Sequence, residues 1–105
     1  MSAQQQGDCR FVEVDLIPKT ARLRQKKGQW NVLAFGESTG HKHLVIDEEV
    51  EIYEDADGTL YVKSSRPVDV VHEEHNKVTL KPGIQRMRQV REKDHLNDLI
   101  RTVRD

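Results

Sequence analysis

The sequence is short of the residues that usually stabilise a small protein. Its single cysteine, Cys9, excludes an internal disulfide, and only five of its 105 residues are aromatic. Hydrophobic residues make up 35% of the chain, whereas apolar residues, glycine included, make up about 45–50% of an average domain. This length predicts a single domain, and so thin a core favours stabilisation by a metal ion, by a partner subunit or by both. We therefore expect a homo-oligomer, a bound ion, or the two together.

The sequence also lacks a strong charge and a long apolar run. The net charge of −1 gives no overall reason to bind nucleic acid or an anionic membrane. No apolar run reaches the roughly 18–20 residues that span a bilayer, and the chain does not begin with a basic and then apolar signal segment. We expect a cytoplasmic protein without membrane partners.

Basic residues cluster on one late segment, which contains Arg86, Arg88, Arg91 and Lys93. No aromatic residue lies among them to stack on bases. A solvated strand face therefore explains the cluster better than a nucleic-acid interface does, and nucleic-acid binding is the lowest-ranked alternative.

Eight short segments show the alternation or the apolar runs typical of strands, and turn formers separate them. They are residues 10–17, 30–35, 41–46, 50–53, 59–63, 68–72, 77–80 and 84–91. Short strands at this spacing predict an all-β fold, a small sandwich, jelly roll or barrel, formed by a single domain over residues 9–105.

The segments outside these strands predict a disordered start, a loop and a terminal helix. Residues 1–8 are small and polar, and we expect them to be disordered. Residues 19–29 predict a solvated basic loop. Near the end, apolar residues recur at the spacing of a helix face, which predicts a short C-terminal helix over residues 94–104.

Four of the five histidines lie in two short windows. Because side chains alternate along a strand, His41 and His43 point to one face with Cα atoms roughly 6.5–7 Å apart, so that both can ligate one ion. His72 ends a later strand, and His75 lies in the turn after it. For His75 to join the other histidines, this turn must bring its ring back to the face on which they lie. We predict a metal site formed by His41, His43 and His72, with His75 as a conditional fourth ligand.

Imidazole suits several divalent transition metals, of which zinc is the first expectation, with iron, manganese, nickel or copper as alternatives. Three histidines with an open position permit water activation, whereas four favour a closed or redox site. Nearby groups that can orient the imidazoles or add a ligand are Glu37, Thr39, Glu48 and Glu74.

The sequence assigns no catalytic residue and leaves open whether the protein is an enzyme. The alternative to a catalytic metal site is a non-catalytic structural or assembly protein, for example a phage component. In that case the histidines stabilise the fold or a subunit interface.

The histidine windows belong to a longer set of short motifs. These are Gly7-Asp8, Gly36-Glu37-Ser38-Thr39-Gly40-His41-Lys42-His43, His72-Glu73-Glu74-His75, Pro82-Gly83 and Arg91-Glu92. In these motifs the chain resembles a group of short, uncharacterised bacterial and phage proteins. The group has no settled activity, so the resemblance supports the motifs without implying a reaction.

A looser resemblance is to the cupins, small jelly rolls that hold a metal ion with His-x-His, a nearby glutamate and a later histidine. His41, His43 and Glu48 fit the spacing of the first cupin motif. The second motif does not fit, because Pro82-Gly83 resembles its turn but no histidine follows at the expected place. The resemblance implies a cupin-like metal site only by analogy of fold.

Overall fold

The computed structural model describes residues 3–35 and 41–90, and these residues form an all-β structure. The described residues contain ten strands: β1 (Ala3–Gln6), β2 (Cys9–Val14), β3 (Arg22–Leu23), β4 (Val32–Phe35), β5 (Lys42–Val45), β6 (Glu51–Glu54), β7 (Leu60–Ser64), β8 (Val68–Val71), β9 (Val78–Leu80) and β10 (Gly83–Gln89). All eight strands expected from the sequence are present with shifted ends, so the all-β class is confirmed.

The strands form two antiparallel sheets. One has six strands in the order β1-β2-β10-β7-β6-β3, and the other has four in the order β4-β5-β8-β9. Along β2, β5, β8 and β10, buried positions alternate with more exposed ones, as expected when one face of each strand packs inward.

One hydrophobic core joins the two sheets. Phe11 and Ile52 of the six-stranded sheet belong to the same buried cluster as Val45, Val70 and Leu80 of the four-stranded sheet. Phe11 is the largest side chain that is fully buried. The protein therefore depends on the contact between its sheets for most of its apolar burial.

The N-terminal segment differs from the expectation. Disorder over residues 1–8 is wrong for residues 3–8, because β1 pairs with β2 through the two-residue turn Gly7-Asp8. Gly7 has a φ of 55° and no non-glycine residue among those described has a positive φ, which fits a type II′ hairpin with glycine in the first loop position.

Glutamine side chains explain why so polar a segment is ordered. The Gln4 amide nitrogen donates to the carbonyl oxygen of Thr79 at 2.9 Å. The Gln6 amide nitrogen donates to the carbonyl oxygens of Val70 at 2.8 Å and Asn76 at 2.9 Å. β1 is thus held to the backbone of the other sheet by hydrogen bonds, which a prediction based on composition does not consider.

The basic segment 19–29 is also more ordered than expected. β3 lies within it and pairs with β6. The Arg24 guanidinium donates to the carbonyl oxygens of Trp30 and Val32 at 3.1 and 2.7 Å, and it pairs with Glu54 at 3.0 Å. A solvated loop is therefore the wrong description of residues 22–24.

The helix expected over residues 94–104 lies outside the described residues. Within the described part of the chain, no helix is long and apolar enough to cross a membrane.

Replacing the largest core side chain tests the contact between the sheets. We expect Phe11→Ala to lower the free energy of unfolding by about 3–5 kcal/mol, because it removes a buried ring and leaves a cavity. Leu16→Ala is the control, since Leu16 is 79% exposed and its loss changes the free energy by less than about 0.5 kcal/mol. Urea denaturation measures both, and equal effects would contradict the described core.

Candidate metal centre

The site forms where the hairpin β1–β2 meets strand β5. Alternation along β5 turns His43 inward, and its side chain is only 1% exposed. The Gly7-Asp8 turn places the Asp8 carboxylate beside this ring, with Asp8 Oδ1 3.2 Å from His43 Nε2. A buried imidazole and a carboxylate from different sheets therefore face each other.

The Gln6 side chain determines which nitrogen of His43 carries the proton. Its amide nitrogen already donates to two backbone carbonyls, so its oxygen Oε1 is the atom that lies 2.8 Å from His43 Nδ1. An amide oxygen only accepts hydrogen bonds. His43 Nδ1 is therefore the donor, and in the neutral ring Nε2 presents its lone pair to Asp8.

A second glutamine orients the carboxylate. The Gln89 side-chain nitrogen donates to Asp8 Oδ2 at 2.6 Å, which leaves Oδ1 directed at His43 Nε2. Residues that bind metal ions are commonly fixed in this way, with the atom opposite the ion held by a hydrogen bond. Gln6 and Gln89 make hydrogen bonds of this kind to His43 and Asp8 respectively.

The histidines of the second window lie against His43. The centroids of the His43 and His72 rings are 4.2 Å apart, and those of His72 and His75 are 4.6 Å apart. His72 Nδ1 accepts the backbone N–H of Glu74 at 3.0 Å. This hydrogen bond occupies one lone pair of His72 and leaves the proton of the neutral ring on Nε2, an arrangement less suited to metal binding than that of His43.

His41 lies at the outer edge of the cluster. Its ring meets that of His72 edge-on, with centroids 5.9 Å apart. Its Nδ1 lies 3.0 Å from a Glu74 carboxylate oxygen and its Nε2 lies 3.4 Å from one of Glu73. His41 therefore lies between the inner imidazoles and the two carboxylates of the turn that follows β8.

The buried environment keeps the inner imidazoles neutral. Burial, followed by the neighbouring His72, lowers the pKa of His43 below its ordinary 6.5, and Asp8 opposes this effect only in part. Burial, followed by His75 and His41, likewise lowers the pKa of His72. Neutral imidazole is the form that binds metal ions.

Cys9 is the third group at the inner end of the site. It is fully buried, and its thiol donates to Asp8 Oδ1 at 3.9 Å. Burial and then the Asp8 charge raise the pKa of the thiol, which therefore carries its proton in the absence of an ion. Among the described residues, ligand atoms of Asp8, Cys9 and His43 all lie within 4.8 Å of one another.

The structure thus brings all four predicted histidines together as neighbours, and their ligation of one ion stays a prediction. Of the residues expected to assist them, Glu74 contacts His41 and His72. Glu48 lies after β5, at the end remote from the histidines, and its carbonyl accepts a hydrogen bond from Lys26. Glu37 and Thr39 lie outside the described residues.

Sequence reasoning missed Asp8, Cys9, Gln6 and Gln89 as members of the site. A Gly-Asp pair between two short segments is a hairpin signal, and it could have indicated that Asp8 and Cys9 lie in an ordered turn. No comparable signal marks the glutamines, because their role depends on which carbonyls and imidazoles the fold places beside them.

The fold and the site together define an all-β protein with imidazole, carboxylate and thiol groups clustered where its two sheets meet. Residues 5–90 match the family described as "Domain of unknown function (DUF8820)", and the chain belongs to this family. No curated protein and no solved structure is significantly similar to the chain. The matched residues include every member of the cluster, and the family description assigns it no activity.

Gly7 is required both by the turn and by the packing of His75. A Cβ at this position would lie 2.7 Å from His75 Nε2, and the positive φ already disfavours any other residue. We expect Gly7→Ala to destabilise the protein by about 1–3 kcal/mol, as measured by urea denaturation.

A control separates the cost of the positive φ at Gly7 from the cost of the contact between a Cβ there and His75. Gly58 also has a positive φ, but a Cβ there would meet nothing within 4 Å. Gly58→Ala therefore reports the backbone cost alone, and adding His75→Ala to Gly7→Ala should recover the difference. A Gly7→Ala effect no larger than that of Gly58→Ala would contradict the contact with His75.

The lowered pKa values of His43 and His72 predict an acid sensitivity of the metal-free protein. In the unfolded chain these rings bind protons near their ordinary pKa of 6.5, before the folded protein does. Their contribution to stability is therefore complete above pH 6.5 and is lost as the pH falls towards the folded pKa values. Urea denaturation in a chelator should show this loss, and His72→Gln should reduce its slope. Stability that rises on acidification through this range would contradict the prediction.

Proposed function

We propose that this protein binds one divalent transition-metal ion, with His43 Nε2 and the Asp8 carboxylate as the anchoring pair. Zinc is the first candidate, since a borderline ion accepts imidazole and carboxylate together. The observation that carries the proposal is the arrangement Gln6–His43–Asp8–Gln89, in which each ligand is oriented by an amide on its far side.

The distance between the two ligand atoms supports an ion between them. Zinc binds imidazole nitrogen at about 2.0–2.1 Å and carboxylate oxygen at about 2.0–2.2 Å, so a tetrahedral ion separates the two atoms by about 3.3–3.5 Å. The separation of His43 Nε2 and Asp8 Oδ1 is 3.2 Å. Ligand atoms preorganised in this way need little movement to bind.

A proton shared by His43 and Asp8 is the competing explanation. The 3.2 Å between these atoms is within reach of an N–H···O hydrogen bond, but it is longer than the distance of about 2.7–2.9 Å typical of an ionised pair. Burial of His43 and the adjacent His72 also disfavour the imidazolium. Without an ion or a proton, the Nε2 lone pair and the carboxylate would repel each other in a buried place, which favours occupation of this position by a cation.

The position of the pair favours a structural role for the ion. Asp8 comes from the six-stranded sheet and His43 from the four-stranded sheet, so that the ion joins the two sheets of a small sandwich. His43 is buried and the Asp8 side chain is only 12% exposed, which leaves little access for a substrate. A small hydrophobic core is where such a cross-link contributes most.

Neighbouring groups would occupy the coordination positions of the ion that His43 and Asp8 leave open. Of the outer imidazoles, His75 is the best placed for this, because its Nε2 lies close to Gly7 of the same turn. His72 and His41 are ligands in this proposal only if their hydrogen bonds to residues 73 and 74 rearrange.

The test is metal binding by protein purified without an affinity tag. We expect elemental analysis to give one transition-metal ion per chain. Zinc at 100 times its dissociation constant should raise the free energy of unfolding by about 2.7 kcal/mol and the melting temperature by more than about 10 °C. Asp8→Asn, which removes the charge and keeps the shape, should lose most of this increase.

Asp15→Asn is the matched control, since Asp15 is exposed just beyond β2 and should leave the zinc effect unchanged. Isothermal titration calorimetry of the three proteins gives the affinities. A wild-type protein that binds no transition-metal ion, or a melting temperature unaffected by zinc and by chelator, would contradict the proposal.

A further inference from the structure

We propose that Cys9 is a ligand of the same ion, so that the site is a mixed thiolate, imidazole and carboxylate centre selective for zinc-like ions. This inference rests on the proposed metal binding and adds to it the sulfur donor and the class of ion. The histidine pattern of the sequence gives no indication of the sulfur donor.

The hairpin geometry brings the sulfur to the site. Asp8 is the second residue of the turn, and Cys9 is the first residue of β2, where it faces the interior with Phe11. Cys9 Sγ lies 3.9 Å from Asp8 Oδ1 and within 4.8 Å of a His43 ring nitrogen. Three donor atoms of different chemistry thus surround one small volume.

The separation of Cys9 Sγ from Asp8 Oδ1 is close to that in a bound ion. With zinc–sulfur bonds of about 2.3 Å, a tetrahedral centre separates sulfur from its oxygen and nitrogen neighbours by about 3.5–3.7 Å. Contraction by a few tenths of an ångström brings Cys9 Sγ from its 3.9 Å to that distance from Asp8 Oδ1.

The buried His43 ring points to the same volume. Its side chain is 1% exposed, and its Nε2 is directed inward by the Gln6 hydrogen bond to Nδ1. Among the hydrogen bonds of residues 3–35 and 41–90, none supplies a donor to Nε2 of the neutral ring. A cysteine that served only to fill the core would not require an aligned lone pair beside it.

Binding releases the thiol proton. The Cys9 S–H bond breaks, the sulfur forms a bond to the divalent ion, and the proton leaves to solvent. The ion, His43 and Asp8 undergo no oxidation or reduction. Thiolate and imidazole donors prefer zinc and cobalt, whereas manganese and magnesium prefer oxygen donors, so the site should discriminate between these two groups.

Cobalt(II) absorption spectroscopy tests the sulfur ligand directly. We expect the wild-type protein to bind one cobalt ion with the visible bands of a tetrahedral centre and with a near-ultraviolet charge-transfer band from thiolate to cobalt. Cys9→Ser should lose the near-ultraviolet band and bind cobalt more weakly by at least the roughly 10–100-fold that loss of a hydrogen-bond partner behind a ligand costs. Met87→Leu is the matched control, because Met87 is the buried core methionine and its sulfur should not contribute to the band.

The outcomes separate this inference from the proposed function. If cobalt binds, as shown by the visible bands and by calorimetry, but the wild-type protein shows no near-ultraviolet band, Cys9 is not a ligand and the metal-binding proposal stands. If no cobalt or zinc binds, both proposals fail. Since the wild-type spectrum alone decides the point, the test does not depend on whether Cys9→Ser folds. A band that persists in Cys9→Ser would also overturn the assignment.

Discussion

The side-chain amide of Gln6 is the interaction on which the rest of the arrangement depends. Its nitrogen donates to the carbonyl oxygens of Val70 and Asn76, and its oxygen accepts from His43 Nδ1. A buried polar group without a partner costs about 1–3 kcal/mol, so these three hydrogen bonds support one another. They fix the first strand against the second sheet and the orientation of the His43 ring at the same time.

The strands that build the two sheets therefore also supply the residues of the site. The hairpin β1–β2 supplies Asp8 and Cys9 to the site and also forms an edge of the six-stranded sheet. Strand β5 supplies His43 from the other sheet. The ion that we propose between them would add a cross-link where the apolar core ends and polar groups begin, which is a place that hydrophobic packing alone stabilises weakly.

The neighbouring imidazoles also affect the site electrostatically. Burial is the largest cause of the lowered pKa of His43 and of His72, and adjacent rings add to it because two positive charges so close would repel. The pKa values of both inner rings are therefore below their ordinary 6.5. His41, which faces two carboxylates at the outer edge, forms the boundary between this neutral cluster and the charged surface.

Local patterns in the sequence determined the all-β class, the eight main strands and the two histidine windows, because alternation and turn residues act over a few neighbours. The order of β1 and the roles of Gln6, Gln89 and Cys9 depend on atoms up to 81 residues apart in the chain. A polar segment such as residues 3–8 resembles a disordered one until a second sheet offers carbonyl oxygens to its side chains. The tertiary structure alone decided that the carboxylate of a turn residue, Asp8, and the thiol of Cys9, the first residue of β2, lie near His43, because only packing of the sheets brings that hairpin to the ring.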